Sequence, residues 1–249
     1  MQAMARVTGV DYDQDAGEYA AHRRLHAGVF TELVTGAGLG AGSRVVEVGC
    51  GTGNYARALA DGPGCTLLGL DPSSGMLSHA HRQPEPVCWL QARAEELPLA
   101  PGSADLVFSV DVIHHVAGPA AFFQAVARAL RPGGWVCTVT DSEEIIRQRE
   151  ILSGYFPETV AVELQRYPKL GELRTWSAAA GLVDFRVVTV EQPYTLESTR
   201  PFRDRAFSSL HLISEEAWQA GLARLEADLA RGPVHGVSRY ACAWAARPA

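Results

Sequence analysis

The sequence predicts an α/β fold in which a mostly parallel sheet is covered by helices on both faces. Residues 44–55 run from an apolar stretch through three glycines into an alanine-rich segment, which is typical of a strand, a tight turn and a helix. Apolar strand-like runs then alternate with helical segments as far as residue 140. Strands that alternate with helices at this spacing indicate parallel pairing with crossover helices.

The segment before the glycine turn predicts an arm over residues 1–17 and a helix over residues 18–34, and four closely spaced glycines follow that helix. After the turn, a short helix is predicted over residues 54–60. Ser73 has the residue type and position of an N-cap for a helix that continues to about residue 81. The next helix begins at Pro119. The strands predicted in this half cover residues 44–48, 66–71, 87–90, 105–110 and 135–140.

The second half has a looser pattern. Residues 142–168 are mixed in character and are interpreted as a cap, and a helix is predicted over residues 169–180. A strand follows at residues 185–190, then a long aromatic segment at 191–213. Ser214 has the character of an N-cap for another helix, and a last strand at 239–245 is expected to be antiparallel, because too few residues precede it for a crossover.

Composition narrows the class of function. The chain has 249 residues, 47% hydrophobic and 20% charged, which suits a single globular domain with a large core. No apolar run is long enough for a membrane span, and the N-terminus lacks the pattern of a leader segment, so we expect a cytoplasmic protein with no membrane partner.

Charge and cysteine content favour chemistry on small molecules. The formal net charge is −6 and Lys169 is the only lysine, whereas nucleic-acid binding usually needs clustered basic residues, so no nucleic-acid partner is expected. The five cysteines include no CxxC pair, and we expect no metal site. Oligomeric state cannot be read from these features.

The glycine turn and a later acid together predict a ligand site. Asp71 follows Glu47 by 24 residues and ends the second strand, at the sheet edge where α/β proteins bind ligands. A carboxylate there suits a ribose diol, which both nicotinamide dinucleotides and S-adenosylmethionine carry. The spacing of Gly49, Gly51 and Gly53 differs from the dinucleotide pattern G-x-G-x-x-G, and Glu47 would repel a pyrophosphate. An acid at this position instead suits the cationic groups of S-adenosylmethionine.

Five segments occur in an order that resembles a known family. They read EVGCGTG, LDPSSGML, AEELPL, DLVFSVDVIHHV and ALRPGG, and they span about residues 44–140. The set resembles the class I S-adenosylmethionine-dependent methyltransferases, nearest to the group with the ubiquinone and menaquinone biosynthesis enzymes. The resemblance implies a Rossmann-like seven-stranded sheet whose last strand is antiparallel, with S-adenosylmethionine as cofactor. We therefore expect one domain over residues 1–249, with a lid at 1–42, a cofactor-binding core at 43–140, and substrate-side cap segments at 141–168 and 191–213.

The resemblance also implies roles for individual residues. Glu47, Gly49 and Gly51 would line the methionine part, Asp71 would hold the ribose and Met76 would lie near the adenine. Arg93 replaces the family's adenine-binding Asp in the third segment, so only the neighbouring Ala94 is carried over for that contact. An arginine of the N-terminal lid would meet the methionine carboxylate, and Arg24 and Arg23 are equal candidates. The full predicted cofactor set is Glu47, Gly49, Cys50, Gly51, Asp71, Pro72, Met76, Ala94, Glu95, Ser109, Tyr19 and Arg24.

Candidate catalytic and substrate residues have structural alternatives. His114 and His115 follow the fourth strand and could act as a general base, although a structural role, above all for His115, is the leading alternative. Asp141, Tyr194 and His211 are candidate substrate contacts. The predicted reaction is methyl transfer to an O, N or C nucleophile by in-line displacement. Two alternatives remain: a tRNA-modifying methyltransferase of the same fold, and a protein that binds the cofactor without methylating.

Overall fold

The computed structural model describes residues 25–81 and 87–249. The predicted arm, Tyr19, Arg23 and Arg24 lie outside these residues. The described strands form one seven-stranded sheet in the order β3-β2-β1-β4-β5-β7-β6. These strands are β1 Arg44–Val48, β2 Thr66–Asp71, β3 Val87–Gln91, β4 Ala104–Val110, β5 Leu130–Thr140, β6 Val183–Leu196 and β7 Val234–Ala246.

Strands β1 to β5 pair in parallel, whereas β7 is antiparallel to both β5 and β6. The predicted antiparallel last strand is therefore confirmed. The described α-helices are α1 Ala27–Gly36, α2 Asn54–Asp61, α3 Ser74–Ala80, α4 Pro119–Ala129, α5 Glu143–Gln148, α6 Leu152–Tyr155, α7 Glu158–Arg166, α8 Leu170–Ala179, α9 Arg200–Arg203 and α10 Glu215–Leu229. None of the helices in the described ranges is long and apolar enough to cross a membrane.

Strand order determines where a ligand can bind. The chain moves outward from β1 to β2 and β3, then returns to place β4 on the other side of β1. The connections after β1 and β4 therefore leave the sheet in opposite directions and open a crevice between them. Gly49 and Asp111 directly follow these two strands, so both lie at this crevice.

Helices cover both faces of the sheet, as the alternating pattern predicts. One face packs against α4 and α8 through residues such as Phe123 and Leu173. The other packs against α1 and α2, where Leu33, Leu59 and Trp244 are fully buried. Because both faces are covered, the central strands are apolar on both sides.

The start of the leading helix differs from the prediction. A continuous helix over residues 18–34 is wrong, because His26 has an extended backbone (φ −87°, ψ 112°) and α1 begins at Ala27. The imidazole Nδ1 of His26 accepts a hydrogen bond from the backbone N–H of Val29, at 3.2 Å. His26 is therefore the N-cap of α1 rather than an interior helical residue.

Strand β6 is longer than the predicted 185–190. It runs to Leu196, so the first six residues of the predicted cap segment 191–213 belong to the sheet. It tolerates Pro193 because β6 lies at the edge of the sheet, where a missing N–H costs no ladder bond. Strand β5 likewise begins at Leu130 rather than at residue 135.

The cap has an apolar core of its own. Phe156, Phe202, Leu210 and Leu225 are buried together there, and they come from both predicted cap segments and from α10. Helix α10, which had no assigned place in the sequence analysis, therefore packs within the cap. Its Gly221 lies so close to α6 that an added Cβ would be 2.4 Å from Cδ1 of Phe156 and 2.6 Å from the carbonyl oxygen of Tyr155.

We expect two glycine-to-alanine substitutions to change stability in opposite directions. Gly221→Ala should lower the free energy of unfolding by about 1–3 kcal/mol, because the methyl group overpacks the contact between α10 and α6. A Cβ added to Gly171 of α8 would have no atom of the described residues beyond its own helix within 4 Å. Gly171→Ala should therefore raise stability by up to about 1 kcal/mol through helix propensity alone. Urea unfolding of both variants measures the difference, and equal effects would contradict the close packing of the cap.

Candidate active site

The turn after β1 is shaped by three glycines with left-handed backbones. Gly49, Gly51 and Gly53 have φ values of 71°, 53° and 86°. The backbone N–H groups of Gly49 and Cys50 both donate to the carbonyl oxygen of Leu70, at 2.7 and 2.9 Å. The turn is thus tied to the end of β2, and residues with a Cβ would be strained in it.

Two of these glycines also make room for the protein's own side chains. A Cβ on Gly49 would lie 2.3 Å from Cγ2 of Val112, and one on Gly53 would lie 2.2 Å from Cη2 of Trp89. At these two positions, the side chains of Val112 and Trp89 occupy the space that a Cβ would take. Close packing within the fold, together with positive φ, accounts for both glycines.

Glu47 is buried beneath the turn and completes the start of α2. Gly53 is the N-cap of this helix and has no side chain to accept a hydrogen bond. Oε2 of Glu47 accepts from the backbone N–H of Ala56 instead, at 2.9 Å. Burial raises the pKa of Glu47 to about 8, and the bond from Ala56 only partly opposes that rise.

Asp71 joins the two turns that follow β1 and β2. Its Oδ2 accepts from the backbone N–H of Gly51 and its Oδ1 from that of Ser73, both at 2.8 Å. Ser73 in turn caps α3 by accepting from the N–H of Met76, at 3.1 Å. Each carboxylate oxygen has a second lone pair, so Asp71 can hold the turns and still accept hydrogen bonds from a ligand.

Other predicted cofactor residues surround this edge. Cys50 and Met76 are buried, and Ala94 packs against the apolar layer beneath α4. The carbonyl oxygen of Pro72 accepts from Nε2 of Gln91, at 2.8 Å. Glu95 has a defined structural contact, because its Oε1 accepts from the backbone N–H of Ala117, at 3.0 Å.

Ser109 supplies an observation that fits a bound ligand. It is the second-to-last residue of β4 and is 1% exposed, and its Oγ has no hydrogen-bond partner among the residues that the structure describes. Buried hydroxyls normally have a partner, so this group is available to a ligand or a water molecule in the crevice. The residues at this edge thus offer a carboxylate, a hydroxyl and a glycine turn, which are suitable groups for S-adenosylmethionine.

The two histidines lie on a 3-10 turn, Ile113–His115, directly after β4. The ring of His114 stacks on Tyr167, with centroids 4.0 Å apart and an angle of 18° between the planes. The rings of His114 and His115 have centroids 3.9 Å apart. Tyr167 is the C-cap of α7 in the cap, directly after Arg166. A cap residue therefore fixes the orientation of the histidine pair.

A buried ionic cluster holds the same part of the cap to the sheet. Arg149 forms ion pairs with Asp141, just after β5, and with Glu163 of α7. Its guanidinium carbon also lies 5.9 Å from the ring centroid of Tyr167. Burial raises the pKa of Asp141 to about 7, against the opposing effect of Arg149. Asp141, predicted as a substrate contact, therefore has a protein partner in this structure.

The other two predicted substrate residues, Tyr194 and His211, make different contacts from Asp141. Tyr194 is on β6, is 38% exposed and borders a surface hollow of about 350 Å³ together with Glu150 and His235. Burial of its hydroxyl raises the pKa of Tyr194. His211 is exposed, and its Nε2 contacts the carbonyl oxygen of Arg205, at 2.9 Å. The positive charge of Arg149 partly opposes the rise in the pKa of Tyr194, so Tyr194 lies near the cluster around Arg149.

The sequence analysis missed Arg149 and Tyr167. Both occur in the cap segment without a motif, and their contacts join residues that are far apart in the chain. The only available signal was that this segment contains three aromatic residues and three arginines, which does not single out Arg149 or Tyr167. Within residues 25–81 and 87–249, no group of three or more His, Cys, Asp or Glu side chains is arranged to hold a metal ion.

Comparison with known proteins identifies the central part of the chain. Residues 46–138 match the family model described as a methyltransferase domain. A ubiquinone biosynthesis O-methyltransferase from Thiobacillus denitrificans is 39% identical over 101 residues, which cover 39% of this chain and 43% of that protein. A tRNA U34 carboxymethyltransferase from Azotobacter vinelandii is 30% identical over 178 residues, which cover 68% of this chain and 54% of that protein.

The overall fold also has solved relatives. A candidate methyltransferase of an antibiotic biosynthesis pathway from Anabaena variabilis superimposes with a TM-score of 0.67 and 24% identity, over 87% of this chain and 96% of that one. The chain spans about half the length of the sequence relatives described above. Its matched residues include the glycine turn, Asp71 and the histidine turn. Residues 46–138 thus form a methyltransferase domain, which supports a class I S-adenosylmethionine-dependent methyltransferase.

Proposed function

We propose that this protein transfers a methyl group from S-adenosylmethionine to a small-molecule acceptor in the cytoplasm. The observation that supports this most directly is the joint placement of Asp71, the glycine turn and the unpartnered Ser109 hydroxyl at one edge of the sheet. The net charge of −6 and the single lysine favour a small molecule over nucleic acid as the acceptor.

In this proposal, Asp71 accepts hydrogen bonds from the ribose hydroxyls, Ser109 faces the cofactor and Met76 packs beside the adenine. Glu47 lies beneath the glycine turn, near the amino-acid part, and loses its proton when the ammonium group of the ligand binds. When bound, the cofactor supplies a methyl group on a positively charged sulfur. The protein then has to hold the acceptor in line with that methyl group and exclude water, and such positioning can lower a barrier by about 7–11 kcal/mol.

His114 and His115 are the candidate groups for proton removal. A phenol, acid or amine acceptor has a proton to lose, and a positioned base contributes roughly 10²- to 10⁴-fold to rate. The Tyr167 stack holds His114 in one orientation, which favours His114 as the better-positioned base. A carbon nucleophile or an already ionised acceptor would need neither histidine.

The cap is proposed to select the acceptor. Residues 141–168 lie over the ends of β4 and β5 through the contacts of Arg149 and Tyr167. The remaining part of the second segment, residues 197–213, packs with α10 in the cap core. Incubation with S-[methyl-¹³C]adenosylmethionine and a metabolite extract, followed by mass spectrometry, tests the proposal. A labelled small molecule supports it, whereas cofactor binding without any labelled product would favour a non-methylating binding protein.

We expect Asp71→Asn to weaken S-adenosylhomocysteine binding by at least about tenfold, because hydrogen bonds to a charged carboxylate contribute about 1.5–3 kcal/mol each. Asp184→Asn is the matched control, since Asp184 is an exposed carboxylate on β6 with a positive φ that Asn also tolerates. Isothermal titration calorimetry measures both affinities. Equal affinities for the two variants would exclude Asp71 from the cofactor site.

We expect cofactor-product affinity to rise between about pH 6 and pH 8. Burial holds the pKa of Glu47 at about 8, so Glu47 is mostly protonated across this range. A ligand ammonium group favours the charged carboxylate, so binding releases a proton, and raising the pH assists the release. Titration of S-adenosylhomocysteine at several pH values should show this rise in the wild type and a flatter profile in Glu47→Gln. Identical profiles would mean that Glu47 does not sense the ligand.

A tRNA-modifying methyltransferase is the second candidate. It is favoured by the match to the tRNA U34 carboxymethyltransferase, which covers 68% of this chain. A gel-shift assay with total tRNA separates the two candidates. We expect no shifted band at micromolar protein, because the 22 lysine and arginine residues are outnumbered by 28 acidic residues, and a net charge of −6 opposes phosphate binding. A salt-sensitive shift would favour the tRNA function instead.

A further inference from the structure

Arg166, the last residue of α7, has an unusual set of partners. Its Nη1 and Nη2 both donate to Oγ of Ser208, each at 3.2 Å. Its Nε is buried and has no hydrogen-bond partner. Within residues 25–81 and 87–249, no carboxylate lies within ion-pairing distance of its guanidinium. A partly buried cation is thus held by a single neutral hydroxyl.

Arg149 of the same cap shows the usual arrangement for comparison. Its guanidinium is paired with the carboxylates of both Asp141 and Glu163. These carboxylates are thereby committed to Arg149, although Glu163 lies only one helical turn before Arg166. Leaving a buried donor without an acceptor is unfavourable, so the unpartnered Nε of the charged Arg166 side chain points to an anionic partner that the described residues do not supply.

The side of the Arg166 guanidinium that carries Nε has the donor geometry for such a partner. A guanidinium carries five N–H donors in a plane, and Nε together with one Nη forms a pair of parallel donors. This pair matches two oxygens of a carboxylate or a phosphate. The hydroxyl of Ser208 holds the guanidinium in place through the Nη groups and leaves the Nε donor without a partner.

The position of this group is on the substrate side of the molecule. Arg166 comes from the first predicted cap segment and Ser208 from the second, so their hydrogen bonds join the two segments. The next residue, Tyr167, stacks on His114. Ser209, beside Ser208, is fully buried and its Oγ also has no partner. Two buried polar groups without partners therefore occur where the two cap segments meet.

We propose that Arg166, held by Ser208, binds an acidic oxygen group of the methyl acceptor, either a carboxylate or a phosphate. The inference rests on the proposed methyl-transfer function and specifies its substrate class. Nε and one Nη donate to two oxygens of the anion. The acceptor is thereby held from the cap, while its nucleophilic atom is presented to the edge of the sheet.

Nuclear magnetic resonance of the arginine side chains tests this directly. The full chain, labelled with ¹⁵N at arginine Nε, is recorded with and without S-adenosylhomocysteine, and Arg166→Gln identifies the Arg166 signal by its loss. Sodium acetate and inorganic phosphate are then titrated, with sodium chloride as the ionic-strength control. We expect acetate or phosphate to shift the Nε–H signal of Arg166 saturably in the millimolar range, and chloride to leave it unchanged.

The two anions distinguish the possible sources, because the one that saturates at lower concentration identifies the acceptor group as carboxylate or phosphate. Arg149 is the matched control, and its signal, identified with Arg149→Lys, should not move because its donors are already paired. No saturable shift of Arg166, or an equal shift with chloride, would overturn the proposal. Arg166→Lys should bind the anion at least about tenfold more weakly, since an ammonium lacks the paired donors.

The result of the anion titration does not depend on whether the protein transfers a methyl group. Arg166→Gln should bind S-adenosylhomocysteine as the wild type does, which shows that the variant is folded. If anions bind at Arg166 but the labelled cofactor yields no methylated product, methyl transfer fails and the anion site stands. If a product forms whose acceptor carries no acidic group, the acceptor assignment is wrong and methyl transfer stands.

Discussion

The carboxylate of Asp71 is the interaction on which the candidate site depends. It accepts one backbone N–H from the glycine turn after β1 and another from the turn after β2. The first turn alone has a flexible backbone, since it contains three glycines with positive φ. A shared acceptor fixes both relative to each other, and hydrogen bonds to a charged group are stronger than those between neutral groups. The cofactor edge is therefore formed before any ligand binds.

Two other acids in the motif segments stabilise turns in the same way. Glu47 accepts the N–H of Ala56 at the start of α2, and Glu95 accepts that of Ala117 just before α4. The helices concerned begin after Gly53 and Gly118, neither of which can supply a capping side chain. At α2, Glu47 supplies the acceptor for a helical N–H group that the glycine N-cap cannot bind. At α4, Glu95 instead binds the backbone N–H of Ala117, in the turn that leads into the helix. These acids therefore have a structural role in addition to any contact with a ligand.

Much of the fold was predictable because its determinants are local. The glycine turn, Pro119 and the serines that cap helices act within a few residues, and the elements from β1 to β4 lie close to their predicted bounds. The prediction failed where a residue behaves against its usual preference, as His26 does when its ring accepts the capping hydrogen bond. It also failed along β6, where partial exposure and Pro193 obscure the alternating pattern of a strand.

The half of the candidate site formed by the turns after β1 and β2 was predictable from the sequence, whereas the half formed by the cap was not. Asp71 and the glycines are recognisable from spacing, because one strand and one turn place them together. Arg149 and Tyr167 could not be found in this way, since their contacts with Asp141 and His114 depend on how the cap packs. The same is true of the contact between Arg166 and Ser208, which are 42 residues apart.

The construction of the cap explains why these contacts are ionic and aromatic. Its apolar residues are gathered in a separate core around Phe156 and Leu225, so they stabilise the cap itself. Leu196 of β6 and Val234 of β7 also pack against this core. The connection to the sheet is completed by Arg149 and its two carboxylates, and by the stack of Tyr167 with His114. Buried ion pairs add little net stability, but their geometry is directional, and breaking one partner is costly. They therefore set where the cap lies over the histidine turn. A cap that folds around its own core and is oriented by a few polar contacts can change in sequence while leaving Asp71 and the glycine turn in place.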